Sequence, residues 1–225
     1  MDYAVEVDEL LFSYRPSKVV LRIKHFAIAR GERVFLYGPS GSGKSTLLGI
    51  LSGVLKAQQG SVKILGRDLS RMSGPARDAL RGAHIGYIFQ MFNLIPYLRV
   101  IENITLPCRI SKERSQRLNG VSVEKTATKI AEQLGIGPIV FESITDLSVG
   151  QQQRVAAARA LLGAPELIIA DEPTSSLDED HREKFLKLLF EQCREIGSTL
   201  LFVSHDRRLL RLFDRAVSLA EINDV

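Results

Sequence analysis

Gly38-Pro39-Ser40-Gly41-Ser42-Gly43-Lys44-Ser45 fits the pattern G-x-x-x-x-G-K-[ST] at every fixed position. It follows Arg33-Val34-Phe35-Leu36-Tyr37, an apolar run of strand length, and opens into Thr46-Leu47-Leu48-Gly49-Ile50-Leu51, which reads as a helix. Strand, glycine loop and helix in that order are the context the pattern requires. Gly38, Gly41 and Gly43 let the backbone curl so that successive N–H groups point inward, and the helix start adds the positive end of its dipole. The segment from Gly38 through Pro39, Ser40, Ser42 and Ser45 to Thr46 is therefore read as a cradle for phosphate oxygens. Lys44 would reach the outer phosphates, and the Ser45 hydroxyl would be a ligand of Mg²⁺.

Composition sets the frame around this loop. With 225 residues, 45% hydrophobic and 25% charged, the chain has ordinary globular composition and can bury a substantial core. It carries neither the pattern of a signal peptide nor an apolar stretch long enough for a transmembrane helix, so a cytosolic location is expected. Cys108 and Cys193 are isolated and lack C-x-x-C spacing, which predicts two reduced thiols without chemistry. The net charge of +4 is modest and spread along the chain. Nucleic-acid binding would need a denser basic stripe, so no nucleic-acid partner is expected, and the clusters Arg67 to Arg81 and Lys112 to Arg117 read as solvated faces.

Ala4 to Leu11 and Val19 to Ile28 alternate as strands and predict an antiparallel patch beside the strand that feeds the loop, with Gly31 as the turn. Tyr14 falls in the turn between those strands and offers a flat face for a base to stack on. Gly60 to Gly66 reads as a short strand, Ser73 to Arg81 as a basic helix, and Ile85 to Phe89 as a buried strand ending in Gln90. A polar amide leaving a buried strand at the edge of a phosphate-binding sheet suggests a metal or water contact. Met91 to Ile104 is loop-like and rich in bulky apolar residues. Val100 to Leu106 begins a helix that Pro107 interrupts, Arg109 to Gly120 is polar and expected to be mobile, and Ser122 to Leu134 is amphipathic with Thr126, Ile130 and Leu134 on one face.

Ser148 opens a second informative stretch, Ser148-Val149-Gly150-Gln151-Gln152-Gln153-Arg154, running into the alanine-rich helix Val155 to Leu162. Ser148 is a good N-cap and Gly150 permits close approach, so a second helix start is offered to phosphate. Leu167-Ile168-Ile169-Ala170-Asp171-Glu172 is a buried strand tipped by two carboxylates. Asp171 can hold Mg²⁺ through water, and Glu172 can take a proton from an attacking water. Pro173 to Asp178 is a turn, followed by a helix with Phe185, Leu188, Leu189 and Ile196 facing inward. Thr199 to Val203 is a last buried strand, and His205 just beyond it is read as a γ-phosphate contact.

Together these stretches resemble the ATP-binding cassette (ABC) ATPase family over nearly the whole chain. Tyr14 matches its aromatic loop, Gly38 to Ser45 its Walker A motif, Gln90 its Q-loop, Leu147 to Gln151 its signature, and Leu167 to Glu172 its Walker B strand and catalytic glutamate. Ser176-Leu177-Asp178 resembles the D-loop at the dimer interface, and His205 the switch histidine. Val149 departs from the family pattern, standing where the signature has a second glycine.

The resemblance implies an α/β fold: a P-loop NTPase core with a mixed sheet, an antiparallel β patch and a helical insertion. Residues 1–225 would be one ABC ATPase domain, with 1–90 and 161–225 as the nucleotide-binding core and 91–160 as a helical subdomain carrying the signature. It implies ATP and Mg²⁺ as cofactors, with Lys44, Gln90, Glu172 and His205 catalytic and Ser45, Gln90 and Asp171 serving the metal. Ser148, Gly150 and Gln151 would act in trans on the ATP of a second copy. Phe89 to Pro96 followed by Val100 to Ile104 is similar to the branch serving lipoprotein release and macrolide export. That branch implies a membrane permease or mechanotransmitter subunit, a periplasmic adaptor as a further candidate partner, and a place on the inner face of the cell membrane. A regulatory ATPase whose membrane partner activates a cell-wall hydrolase without transport remains open, and so does a soluble nucleic-acid or ribosome-associated ABC ATPase.

Overall fold

The computed structural model describes residues 2–15 and 17–225. In chain order the elements are β1 (Tyr3–Arg15), β2 (Lys18–Ala29), β3 (Arg33–Tyr37), α1 (Lys44–Leu51), β4 (Gln59–Ile64), β5 (Arg67–Asp68), α2 (Gly74–His84) and β6 (Ile85–Ile88). Then follow α3 (Val100–Ile110), α4 (Lys112–Gln116), α5 (Val123–Gln133), α6 (Val149–Leu161), β7 (Leu167–Asp171), α7 (Glu179–Ile196), β8 (Thr199–Val203), β9 (Arg215–Ser218) and α8 (Leu219–Ile222). They fall into two compact units, one of residues 1–81 and 199–225 and one of residues 82–198.

The first unit holds the expected antiparallel patch, with strands in the order β2-β1-β4-β5, and a parallel group in which β3 lies between β8 and β9. Alternation along β2 buries Leu21, Ile23, Phe26 and Ile28, while β3 and β8 are near-continuous apolar runs because parallel strands are covered on both faces. Phe35 of β3 stacks on Phe202 of β8 with ring centroids 5.9 Å apart. Gly31 takes φ +75° between β2 and β3, a turn that other residues adopt only with strain. Tyr14 lies near the end of β1 and not in the turn that follows it.

In the second unit β6 and β7 pair in parallel, and α6 packs against α3 and α5. Several expectations are corrected here. Phe89 is not part of the buried strand: β6 ends at Ile88, and Phe89 stacks on Tyr87 while 37% exposed. Pro107 does not interrupt its helix. It lies inside α3, which continues to Ile110, because a proline removes only one backbone bond and the Ser111 N–H still donates to the Pro107 carbonyl.

The polar segment 109–120 is structured and is not a solvated face throughout. Arg114 on α4 is 2% exposed and its two terminal nitrogens donate to the carbonyls of Ile85, Ala160 and Leu162, while its Nε is buried without a hydrogen-bond partner. Burial lowers its pKa to about 10. Arg117 donates to the Ala83 carbonyl and pairs with Glu113 and Glu166. On α7 the inward face is Phe185, Leu186, Leu189 and Cys193, with Leu188 and Ile196 only half-buried. Cys108 and Cys193 are buried free thiols, and burial raises the Cys108 pKa, which keeps it protonated and unreactive.

Candidate functional site

In the first unit the parallel register places the pieces. Leu36 on β3 faces Val203 on β8, and the Ser204 N–H donates to the Leu36 carbonyl. The loop from Gly38 and the exit to His205 therefore leave the same carboxyl edge of neighbouring parallel strands, where open α/β sheets collect ligands. His205 is exposed there. The loop turns through Gly41 at φ +78° and Gly43 at φ +102°, and Gly43 is the N-cap of α1. A Cβ on Gly43 would lie 2.9 Å from Leu21 Cδ2, so the loop's close approach to β2 also requires glycine.

Lys44 Nζ donates to the carbonyls of Gly38 (2.8 Å) and Pro39 (3.0 Å), which holds the ammonium against the loop. Ser42 Oγ is buried without a hydrogen-bond partner, and no atom lies within 4 Å of the position a Cβ on Gly41 would take. An unused hydroxyl, open space in front of the loop, an ammonium and the N-terminus of α1 together fit an oxyanion such as a phosphate. Pro39, Ser40 and Ser45 are exposed on this loop, and Thr46 is buried at its end.

Tyr14 reaches this corner: its hydroxyl lies 3.3 Å from Thr46 Oγ1, and its ring meets Phe12 edge-on at 5.0 Å. It remains 63% exposed, so a ring face is open beside the phosphate loop. Stacking a base is worth about 1–3 kcal/mol, so Tyr14→Ala is expected to weaken nucleotide binding about 5- to 150-fold with little change in folding. A fluorescent ATP analogue titrated into both proteins measures it, and an unchanged dissociation constant would return Tyr14 to packing alone.

The second unit repeats the logic. Ile88 on β6 faces Ala170 on β7, so Gln90 and Glu172, each two residues further on, leave the same carboxyl edge. Asp171 ends β7 half-buried, and its charge together with burial, the larger cause, raises the Tyr87 phenol pKa well above its usual value. Glu172 has φ +47°, a conformation that non-glycine residues hold only under constraint and that recurs at functional sites. No group of three or more His, Cys, Asp or Glu that could hold a metal occurs among the described residues. Mg²⁺ is commonly held by one or two carboxylates together with substrate phosphates. Within this unit the Gln90 amide and the Asp171 carboxylate are oxygen donors of the hard type it prefers, and in the first unit the Ser45 hydroxyl is another.

Ser148 is the N-cap of α6. Its Oγ accepts from the Gln151 N–H (3.3 Å), and Gln151 Oε1 accepts from the Ser148 N–H (2.8 Å), a complete capping box. Ser148 and Val149 are exposed, so the helix start faces outward. Val149 occupies the first helical position and is 49% exposed, and a Cβ on Gly150 would meet only Leu177 at 3.8 Å. Asp178 caps α7, accepting from the His181 N–H, and Ser176 is exposed beside the half-buried Leu177.

Sequence reasoning missed the polar side chains that fix these parts. Gln153 is fully buried and donates to the Pro173 carbonyl next to Glu172 (2.7 Å). Arg159 donates to the carbonyls of Phe92 and Asn93. Asn103, also fully buried, bonds the Ile95 N–H and the carbonyls of Ile95 and Leu98. The available signal was Arg159 inside the apolar, alanine-rich run Val155 to Leu162.

The family described as ABC transporter matches residues 21–175. The chain is 44% identical over 193 residues to an uncharacterized ABC transporter ATP-binding protein, YbbA, of Escherichia coli K12, covering 85% of this chain and 82% of that one. It is 38% identical over 223 residues to the lipoprotein-releasing system ATP-binding protein LolD of Novosphingobium aromaticivorans, covering 98% and 97%. Among solved structures it is similar to the dimeric post-hydrolysis state of the ATP-binding cassette MJ0796 bound to ADP and Pi, with a TM-score of 0.80, 34% identity and coverage of 95% and 93%. With a matching family over most of its length and a relative 38% identical over 98% of the chain, this chain belongs to the ABC transporter family, as its ATP-binding and ATP-hydrolysing cassette.

Proposed function

We propose that the chain drives a separate membrane subunit in lipoprotein release, export or mechanotransmission, working as a homodimer that closes around two ATP molecules. The observation that supports this reading is that one chain presents two helix starts suited to phosphate, α1 behind the Lys44 loop and α6 behind the exposed Ser148. One nucleotide rarely needs both. In a two-fold dimer each ATP would take the loop of one copy and Ser148, Gly150 and Gln151 of the other, with Ser176, Leu177 and Asp178 at the interface.

Within each site Lys44 and the loop amides would bind the phosphates, Tyr14 would stack on the base, and Glu172 would orient the attacking water and take its proton. Gln90 and His205 would meet the terminal phosphate from the carboxyl edges of their strands. Ser45, Gln90 and Asp171 would hold Mg²⁺, which supplies charge neutralisation on the transferred phosphoryl group. The similarity to LolD over nearly the whole chain supports the lipoprotein-release branch.

No helix among the described residues is long and apolar enough to cross a membrane, so attachment would come through the partner. In the second unit Met91 (81% exposed) and Tyr97 (84%) expose apolar surface just after Gln90 in sequence, and Phe141 (70%) exposes more of the same unit, the kind of surface a membrane subunit would cover. The protein would then lie on the inner face of the cell membrane. Tagged Glu172→Gln protein, recovered from membranes with ATP and Mg²⁺, tests this. Co-purification of a membrane subunit with a large periplasmic domain is the expected result. Retention of ribosomes or nucleic acid in place of a membrane subunit would overturn it.

A further inference from the structure

Directly after Gln90 the backbone makes an unusual turn: Phe92 has φ +59° and Asn93 φ +47°, two consecutive non-glycine residues in the left-handed region. For the bulky Phe92 this is a conformation that L-residues avoid, and Asn93, a residue type that enters it more readily, follows directly, so something must hold the turn in place. Its own backbone contributes only the Phe92 N–H to the Phe89 carbonyl (2.9 Å) and the Asn93 N–H to the Met91 carbonyl (2.6 Å). The carbonyls of Phe92 and Asn93 are both taken by one guanidinium, that of Arg159 on α6, at 2.6 and 2.7 Å.

Arg159 is 9% exposed, and among the described residues no carboxylate acts on its charge. A buried charge without a counter-ion is costly, and burial accordingly lowers its pKa. Two strained residues and an unpaired buried cation offset one another only through these two bonds. Each partner therefore enforces the position of the other.

We propose that Arg159 is a positioning residue that locks the segment following Gln90 to the helix begun by Ser148, so that the two move as one piece during the catalytic cycle. The helix is well suited to this. Ser148 caps its start, Gln153 holds Pro173 beside Glu172, and Arg159 holds Phe92 and Asn93, all on one rigid helix that spans roughly 16 Å from cap to arginine. A shift of the outward helix start would thus reach Glu172 through the buried Gln153–Pro173 bond and Gln90 through the turn that Arg159 holds. This inference rests on the ATPase reading for its kinetic consequence, and its structural half stands apart from it.

The test compares full-length wild type, Arg159→Met and Arg159→Met with Asn93→Gly. In Arg159→Met the amides of Phe92 and Asn93 are expected to exchange about 10-fold faster or more, a local opening with global unfolding unchanged. Its kcat is expected to fall about 10-fold while KM stays within about 2-fold, the pattern of an interaction needed in the transition state and not for binding. Adding Asn93→Gly should return kcat to within about 3-fold of wild type, because glycine takes a positive φ without strain and the turn then needs less support.

Unchanged exchange at Phe92 and Asn93 would overturn the lock whether or not the protein hydrolyses ATP. Faster exchange with unchanged kcat, or a lost kcat that Asn93→Gly does not restore, would reduce Arg159 to packing. Should Arg159→Met fail to fold, Arg159→Lys decides: it keeps the charge but cannot bridge two carbonyls in a fixed fork, and it must lower kcat without altering KM for the proposal to stand. Absence of hydrolysis by the wild type would sink the ATPase reading alone.

Discussion

Glu172→Gln is expected to slow ATP hydrolysis about 10²–10⁴-fold, the range for loss of a general base, while ATP still binds. Glutamine has the shape of glutamate and can still bond an attacking water, but it cannot accept its proton. The backbone also singles out this position. Glu172 holds φ +47° immediately after β7, and the pairing of Ile88 with Ala170 brings it to the edge where Gln90 emerges. Strain of that kind persists where the surroundings impose it, here through Gln153 on the Pro173 carbonyl. Single-turnover measurements with saturating ATP and Mg²⁺ isolate the chemical step. A rate within about 3-fold of wild type would remove Glu172 from the proton transfer.

Lys44→Met should lower turnover about 10²–10³-fold, the usual consequence of deleting one preorganised group that stabilises transition-state charge. Nucleotide affinity should fall with it, since the ammonium would bind the phosphates in the ground state too. In this structure the Lys44 ammonium rests on the Gly38 and Pro39 carbonyls, so it is already directed at the loop's interior and needs only a short swing to reach a ligand. The fold should survive: the methionine stem keeps the packing, and the freed carbonyls lie where water can reach them. Equal unfolding midpoints with a large loss of activity are the expected pair of results. Full activity in the variant would contradict the assignment of the loop as the phosphate site.

The fold was legible where its signals are local and periodic. Alternation along β2 and the apolar runs of β3, β7 and β8 gave strands because burial on one face or both writes a period of two or an unbroken run. The phosphate loop was legible because Gly41 and Gly43 are obligatory at positive φ, and the cap of α6 because Ser148 and Gln151 form a reciprocal pair at fixed spacing. Features that depend on distant partners were not legible. Arg114 looks like any exposed basic residue until the carbonyls of Ile85, Ala160 and Leu162 converge on it, and Pro107 looks like a helix breaker until tertiary packing carries α3 through it. Phe92 carries no sequence mark of left-handed backbone, although the asparagine after it is a weak one, because the turn is held by Arg159 from 66 or more residues away.

The most direct test of the central claim, an ATP-bound homodimer built from complementary half-sites, is the mass of Glu172→Gln in solution by light scattering, with and without ATP. The account predicts 25.0 kDa without nucleotide and twice that with it, and return to 25.0 kDa when Ser148→Arg blocks the second helix start. A mass that stays at 25.0 kDa while ATP is demonstrably bound would contradict it.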